Sequence, residues 1–276
     1  MLNIKVIHSG ELLTIKPQDS GFSYGFALFE TLRVEDGKLF FWARHWKRLE
    51  RSAQAFKLDS FLNGQEALVL KAIRSLNAQH EVSSYALKLS LMPASEGATL
   101  YLYIRDLEII GQQIRIALNT VHPINEKAPL AGHKTHNYLE NILLLEEARS
   151  KGFNDYLRVD TQMRVSETCI GNIFFIIGGL IKTPSIASGV LPGVIREVLL
   201  ESGIIESVEM TQGDLVSLEA AFMTNSLRHI SLVSEIHTDQ GAIIFKNTAV
   251  SDRLIERIED YLVSAQKTES VNLSLS

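Results

Sequence analysis

The stretch Val121-His-Pro-Ile-Asn-Glu-Lys-Ala-Pro-Leu-Ala-Gly132 interrupts the chain near its middle. It contains prolines, ends on a glycine, and shows neither helical nor strand-like alternation of apolar residues. Such a composition is typical of a connection between folded parts. We therefore predict a linker over residues 121–132, a small N-terminal domain over residues 1–120 and a larger C-terminal domain over residues 133–276.

Strand-like and helix-like patterns alternate on both sides of this linker. Before it, Asp36-Gly37 separates two apolar runs and predicts a hairpin turn, because both residues tolerate positive φ. Ser9-Gly10 also separates two apolar runs and predicts a second hairpin. After it, residues 137–151 have helical spacing and stop at Gly152, and the apolar run 172–177 suits a strand. Mixed elements in both halves predict the α/β class, as a two-lobed α+β arrangement.

Composition restricts the possible functions. The chain is 46% hydrophobic and 21% charged, as is ordinary for a globular protein, and its net charge of −5 disfavours binding of nucleic acid. The apolar run Ile173–Ile181 is far shorter than the ~20 residues that cross a bilayer. The amino terminus MLNIKVIHSG lacks a secretory pattern, and the polar end QKTESVNLSLS suggests a frayed terminus. We expect a cytoplasmic protein that handles small molecules, without a membrane partner.

Disulfide and metal chemistry are not predicted. Cys169 is the single cysteine of the chain, which excludes an internal disulfide and any multi-cysteine metal site. His133 and His136 are spaced for one side of a helix, but no third ligand follows at a diagnostic distance. We therefore expect no metal.

Three polar features each allow a functional and a structural interpretation. Lys134 is either a nucleophile, if burial or a neighbouring cation deprotonates its amine, or a solvated surface lysine. Glu167 is either an anion that pairs with a bound heterocycle or an ordinary edge-strand carboxylate. Leu191-Pro-Gly-Val-Ile-Arg196 either begins a helix whose N–H groups bind phosphate or forms a tight turn. The residues alone indicate a two-lobed enzyme with a phosphate-bearing ligand.

Several separated blocks carry a resemblance to a known family. They are Gly21-Phe-Ser-Tyr-Gly25, Phe29-Glu-Thr-Leu-Arg33, His45-Trp-Lys-Arg-Leu49, Lys134-Thr-His-Asn-Tyr138, Ser166-Glu-Thr168 with Gly171-Asn-Ile-Phe174, Leu191-Pro-Gly-Val-Ile-Arg196, and Phe222-Met-Thr-Asn-Ser-Leu227. In this order they resemble the class IV pyridoxal-phosphate-dependent enzymes. That family includes branched-chain aminotransferase, D-amino-acid aminotransferase and 4-amino-4-deoxychorismate lyase.

The resemblance implies a set of residues that hold pyridoxal 5′-phosphate (PLP). Lys134 would bind the cofactor as a Schiff base and act as the catalytic base, and Glu167 would pair with the pyridine nitrogen, which makes the ring an electron sink. The remaining implied cofactor contacts are Arg48, Tyr138, Val194, Ile195, Ser226 and Leu227. The implied contacts to an amino substrate are Tyr24, Phe29 and Arg33.

Two local features favour the lyase within this family, namely Asn225-Ser-Leu227 and the short spacing from the lysine to Asn137. The lyase converts 4-amino-4-deoxychorismate to 4-aminobenzoate and pyruvate in folate biosynthesis. A class IV aminotransferase of branched-chain or D-amino acids stays an alternative, as does a catalytically silent PLP-binding module. The resemblance also implies a homodimer.

One departure from the family pattern concerns recognition of the substrate. Many lyase-like members carry an arginine in the hairpin near Met92 that reads a substrate carboxylate, and here it is missing. Four residues are possible substitutes, namely Arg33, Lys88, Arg105 and Arg228.

Overall fold

The chain folds as two compact units built from sheets and helices. The computed structural model describes residues 1–8, 11, 15–94, 97–107, 113–245 and 249–274. Unit 1 comprises Met1–Glu108, His133–Tyr138 and Gln266–Ser276, and unit 2 comprises Ile109–Gly132 and Leu139–Ala265. No helix of the described residues is long and apolar enough to cross a membrane.

Unit 1 is a six-stranded sheet with helices. Its strands are β1 (Leu2–Ile7), β2 (Leu28–Glu35), β3 (Lys38–Phe40), β4 (Ser84–Ala94), β5 (Gly97–Arg105) and β15 (Ser270–Asn272), and its helices are α1 (Ser20–Tyr24), α2 (Trp42–Ala55), α3 (Asp59–Leu62) and α4 (Glu66–Ala78). The order in the sheet is β1-β5-β4-β2-β3-β15. Alternate residues of β2 are buried, and one apolar face of α2 packs against the same core, as the period of each element requires.

Unit 2 is a nine-stranded sheet whose long path has the order β11-β10-β9-β12-β13-β6-β7-β8, with β14 paired to β13. The strands are β6 (Gln113–Ile124), β7 (Asp155–Asp160), β8 (Val165–Thr168), β9 (Asn172–Ile177), β10 (Leu180–Pro184), β11 (Ile205–Val208), β12 (Ala220–Asn225), β13 (His229–Thr238) and β14 (Gly241–Ile244), and the helices are α5 (Leu139–Ser150), α6 (Val194–Glu201) and α7 (Ala249–Thr268), of which the last three residues belong to unit 1. Short 3₁₀ turns occur at Ile186–Ser188 and Gln212–Ser217.

A β–α–β unit in unit 2 places one helix start near the sheet. Strands β10 and β11 pair in parallel, and α6 lies between them along the chain. In such units ligands commonly bind where a strand ends and the following helix begins. On the neighbouring strands β9 and β12, the buried rings of Phe174 and Phe222 stack with centroids 4.9 Å apart, which fixes the register of this part of the sheet.

Several local predictions are confirmed. Asp36 and Gly37 both have positive φ and join β2 to β3 as an antiparallel hairpin. The strand at 172–177 is present, and the helix predicted over 137–151 runs from Leu139 to Ser150. The hairpin predicted at Ser9-Gly10 involves residues outside the described ranges, and β1 pairs with β5 in parallel.

The division of the chain differs from the expected one. The predicted linker at residues 121–132 begins inside β6, whose register with β7 shifts between Asn119 and Ile124. This irregularity hides the period-two pattern by which a strand is recognised. The expected boundaries also placed residues 133–138 and the C-terminal residues in one domain, whereas both segments belong to unit 1.

The polar C-terminal segment is ordered as far as Ser274, the last described residue, which corrects the expectation of a frayed end. Residues 270–272 form β15 against β3, and Leu273 is fully buried in the core of unit 1. This segment is ordered because it pairs with β3, a strand far away in the sequence, and local composition does not reveal such a pairing.

Candidate active site

Lys134 lies in a short segment of unit 1 that pairs with the start of β2. The N–H of Phe29 donates to the carbonyl of Lys134 at 2.9 Å, and the N–H of His136 donates to the carbonyl of Ala27 at 2.9 Å. The Nζ of Lys134 lies 4.4 Å from the ring centre of Phe29 and 5.4 Å from that of Tyr138. The fold therefore brings together three of the predicted site residues, a lysine amine and two aromatic rings.

A second lysine approaches the same ring. The Nζ of Lys88 on β4 lies 4.5 Å from the centre of the Phe29 ring and 5.9 Å from that of Tyr103. Nearby, His136 Nε2 and Ser90 Oγ are 3.1 Å apart. Burial, with the positive charge of Lys88, lowers the pKa of His136 to about 4, so this imidazole is neutral at neutral pH.

Arg48 belongs to a buried charge cluster that the sequence analysis did not identify. Its Nε and Nη2 donate to the two carboxylate oxygens of Glu30 at 2.8 and 2.5 Å, and His45 Nδ1 lies 2.7 Å from Glu30 Oε2. Burial alone would raise the pKa of Glu30, but Arg48 and His45 hold it at about 2. Burial lowers the pKa of His45, and Glu30 opposes that effect. The only sequence signal was a carboxylate within the apolar strand β2.

The predicted substrate residues have different surroundings. Phe29 contacts Lys134, as described above. Tyr24 ends α1 with a side chain that is 77% exposed, next to Gly25, whose carbonyl accepts from Asn137 Nδ2 at 3.0 Å. Arg33 shares a face of β2 with Phe29 but lies about 13 Å further along the strand, where it pairs with Glu35 at 3.2 Å.

Glu167 in unit 2 is fixed to the turn that precedes α6. Its Oε2 accepts from the Nδ2 of Asn172 at 2.9 Å and from the N–H of Leu191 at 3.1 Å. The buried guanidinium of Arg196 donates to the carbonyl of Pro184 and to Ser207 Oγ, both at 2.9 Å. Burial lowers the pKa of Arg196, while the negative charges of Glu167 and Glu197 counteract this, so the guanidinium and the carboxylate of Glu167 attract each other.

The residues predicted to bind phosphate lie at two backbone turns of unit 2. Val194 and Ile195 are the first residues of α6, where N–H groups lack partners within the helix, and Gly193 before them offers no capping side chain. Ser226 and Leu227 lie in the turn between β12 and β13. The N–H of Leu227 donates to Asn225 Oδ1 at 3.0 Å.

Thr224, on β12 of unit 2, has a buried side-chain hydroxyl. Thr224 Oγ1 has no hydrogen-bond partner within the described part of the chain, although the residue is fully buried and lies opposite Asn172 in the sheet. An unpaired buried hydroxyl costs about 1–3 kcal/mol of stability. Two other features of this region, the start of α6 and the carboxylate of Glu167, fit a group with a phosphate and a protonated ring nitrogen.

A model of the family described as amino-transferase class IV matches residues 27–236. The chain belongs to the class IV aminotransferase family. The resemblance found in the sequence is therefore confirmed, and with it the α/β fold and the dependence on PLP that this family shares. The family comprises both lyases and aminotransferases, so this class IV enzyme is either a lyase or an aminotransferase.

Relatives of both kinds match this class IV enzyme. It is 28% identical over 261 residues to a "Putative branched-chain-amino-acid aminotransferase" of Methanocaldococcus jannaschii, covering 88% of this chain and 89% of the relative. It is 26% identical over 232 residues to an aminodeoxychorismate lyase of Bacillus subtilis, covering 78% and 79%. A solved structure named "Putative 4-amino-4-deoxychorismate lyase", from Legionella pneumophila, matches with a TM-score of 0.77 at 26% identity, over 94% of this chain and 99% of that one.

Proposed function

We propose that the chain is a PLP-dependent lyase that converts 4-amino-4-deoxychorismate to 4-aminobenzoate and pyruvate, a step of folate biosynthesis. The position of Lys88 carries this proposal. Its ammonium and that of Lys134 lie 4.5 and 4.4 Å from the centre of the same Phe29 ring. A substrate whose amine reacts at Lys134 can therefore place a carboxylate at Lys88, and aminodeoxychorismate carries two carboxylates.

The other candidates for reading this carboxylate are less well placed. Arg33 pairs with Glu35, and Arg105 is exposed at the end of β5. Arg228 follows the turn after β12, where its N–H donates to Asn225. Among the described residues Lys88 makes no ion pair, so its charge is available to a substrate.

The residues of unit 1 take the following parts. When bound, PLP withdraws electrons from the substrate carbon that bears the nitrogen. The amine of Lys134 removes the proton from that carbon. The substrate's six-membered ring then becomes aromatic as its C–O bond to the enolpyruvyl group breaks. The departing enolpyruvate takes up a proton to become pyruvate. The rings of Tyr138 and Phe29 pack against the amine of Lys134. Arg48, which Glu30 orients, binds the cofactor phosphate.

The residues of unit 2 bind the cofactor in this proposal. Glu167 pairs with the pyridine nitrogen and keeps it protonated, because an adjacent carboxylate favours the charged ring. The N–H groups of Val194 and Ile195 and the hydroxyl of Ser226 bind the phosphate.

An aminotransferase of branched-chain or D-amino acids is the second candidate. It is favoured by the relative from Methanocaldococcus jannaschii, whose name gives that activity. In that reaction the amine of Lys134 would move the same proton, water would release the substrate as a 2-oxo acid, and the amino group would pass to a second 2-oxo acid.

Two assays on the purified holoenzyme decide between these reactions. One supplies aminodeoxychorismate and measures pyruvate without any 2-oxo acid acceptor. The other supplies D- and L-amino acids with 2-oxoglutarate and measures the new oxo acid. Pyruvate release without an acceptor is expected. Turnover that requires an amino acid together with an acceptor would overturn the lyase proposal and support the aminotransferase.

Lys88→Gln tests the role of the second lysine. Removing a charge-assisted contact is expected to raise the KM for aminodeoxychorismate by about tenfold or more, with a smaller change in kcat. Arg33→Gln is the matched control, since Arg33 is also a cation on this sheet but pairs with Glu35. Equal effects of the two substitutions on KM would contradict the assignment of the carboxylate to Lys88.

We also propose that the enzyme is a cytoplasmic homodimer. On α5, Leu139 lies one helical turn from Ile142 and Leu143, and these three large apolar side chains are exposed, by 69%, 41% and 55%. Such a stripe favours contact with a second copy. Leu143→Lys is expected to halve the mass measured by light scattering, whereas Leu68→Lys, at an exposed leucine of α4, should not. A monomeric wild-type protein would contradict this proposal.

A further inference from the structure

Asn172 joins two parts of the candidate cofactor site in unit 2. It begins β9 and is 95% buried, with 5% of its surface exposed. Its Nδ2 donates to Glu167 Oε2 at 2.9 Å and to the carbonyl of Leu191 at 3.0 Å. Both hydrogens of the side-chain amide are therefore used, one on the carboxylate and one on the turn before α6.

The other end of the same amide lies against Gly193, the residue before the first turn of α6. A Cβ built on Gly193 would overlap with Asn172 Oδ1. The backbone of Gly193 has φ −70° and ψ 141°, which any residue adopts, so space and not conformation requires glycine here. Because both Nδ2 hydrogens are bonded, the Asn172 side chain cannot move aside without breaking those bonds.

The carboxylate and the turn are also linked directly. The N–H of Leu191 donates to the same Glu167 Oε2 that Asn172 contacts, at 3.1 Å. Asn172, Glu167 and Leu191 thus form a closed set of hydrogen bonds, and Gly193 packs on it. Because each of the three residues is hydrogen-bonded to the other two, their side chains and backbone hold one arrangement. This arrangement fixes the distance from the carboxylate of Glu167 to the N-terminus of α6.

We propose that Asn172 is a positioning residue that sets the separation between the carboxylate of Glu167 and the N–H groups at the start of α6. This rests on the proposed function, in which Glu167 pairs with the pyridine nitrogen and those N–H groups bind the phosphate. The ring nitrogen and the phosphate of PLP are joined through the ring and one short CH2–O arm, so the distance between them varies only within a narrow range. A site that holds its two partners at the matching distance binds the cofactor without rearrangement.

The test compares variants for PLP affinity and for the pH dependence of the visible absorption band of the bound cofactor. Asn172→Ala removes both donors, and Asn172→Asp keeps the size but places a second carboxylate beside Glu167. Asn119→Ala is the matched control, because Asn119 is a buried asparagine of the same sheet whose Oδ1 accepts from the N–H of His122. Far-UV circular dichroism and the Tm of each apoprotein establish that it is folded.

Asn172→Ala and Asn172→Asp are each expected to weaken PLP binding by about tenfold or more, because a hydrogen bond to a charged acceptor is lost. Asn172→Ala should also shift the pH profile of the band in the direction that Glu167→Gln does. Asn119→Ala should change neither. If the Asn172 variants match the wild type while Glu167→Gln changes both readouts, the positioning role is wrong and the proposed function stands. If Glu167→Gln also matches the wild type, both fail.

A double substitution distinguishes positioning from general packing. Gly193→Ala alone is expected to weaken PLP binding, since its methyl group displaces Asn172. In an Asn172→Ala background the space is free, so adding Gly193→Ala should cause little further loss. Losses that simply add would show that Gly193 acts independently of Asn172 and would overturn the proposal.

Discussion

Lys134→Ala is expected to abolish turnover and to remove the visible absorption band that the bound cofactor gives the wild type. Lys134 is the amine that both attaches the cofactor and moves the proton in the proposed reaction. Loss of a proton-transferring group costs about 10²–10⁴-fold in rate by itself, and loss of the covalent attachment adds to this. The absorption spectrum and the rate of pyruvate release measure the two effects separately.

Lys88→Gln is the control for this experiment, because the two lysines lie at nearly equal distances from the Phe29 ring. If the band depends on the attached amine and not on positive charge near the ring, Lys88→Gln keeps it and Lys134→Ala does not. An unchanged band in Lys134→Ala would show that another residue holds the cofactor.

Glu30→Gln is expected to destabilise the protein by about 3–5 kcal/mol at neutral pH, the range found when one partner of a buried ion pair is removed. The substitution takes away the carboxylate that holds two nitrogens of Arg48 and one of His45. Urea unfolding measures the loss. Glu35→Gln on the same strand is the matched control, since its pair with Arg33 is 39% exposed on the carboxylate side and is worth at most about 1 kcal/mol. Similar losses in the two variants would contradict a special role for the buried cluster.

The same carboxylate gives the wild type a defined acid sensitivity. The pKa of Glu30 is about 2 in the folded protein against an ordinary value of 4.5, because Arg48 overcomes the effect of burial. The unfolded chain therefore binds a proton that the folded chain does not, so this stability is complete above pH 4.5 and is lost as pH falls towards 2. The difference is about 3 kcal/mol, at ~1.4 kcal/mol per pKa unit. Glu30→Gln should unfold with a shallower dependence on pH across this window, and an equal slope would assign the acid limb to other groups.

The sequence predicts those elements whose signals are local. The Asp36-Gly37 turn, the strand at 172–177 and the helix at Leu139–Ser150 follow from residues that are close in the chain. Strand β15 does not, because its polar residues are ordered only by pairing with β3. The shift between Asn119 and Ile124 likewise conceals the end of β6.

The candidate site divides in the same way. Lys134 and Glu167 stand in short blocks that resemble a family, and their roles stay predictions from that resemblance, because the neighbouring residues alone allow a structural interpretation as well. The partnership of Arg48 with Glu30 depends on how α2 packs on β2, and that of Asn172 with the turn at Leu191 depends on the placement of β9. Contacts between distant segments carry no pattern in a single sequence, which explains why these partners were missed.

The pairing of β15 with β3 has a consequence for biosynthesis. Residues 38–40 leave the ribosome early, but their neighbours at 270–272 leave it only after the whole of unit 2 has been made. The segment 133–138 that carries Lys134 also arrives after the first strands of its own unit. During translation β3 is therefore the uncovered edge strand of unit 1 until β15 is made, and an exposed edge strand favours aggregation. Expression at low temperature or with chaperones that shield such edges should raise the yield of folded enzyme.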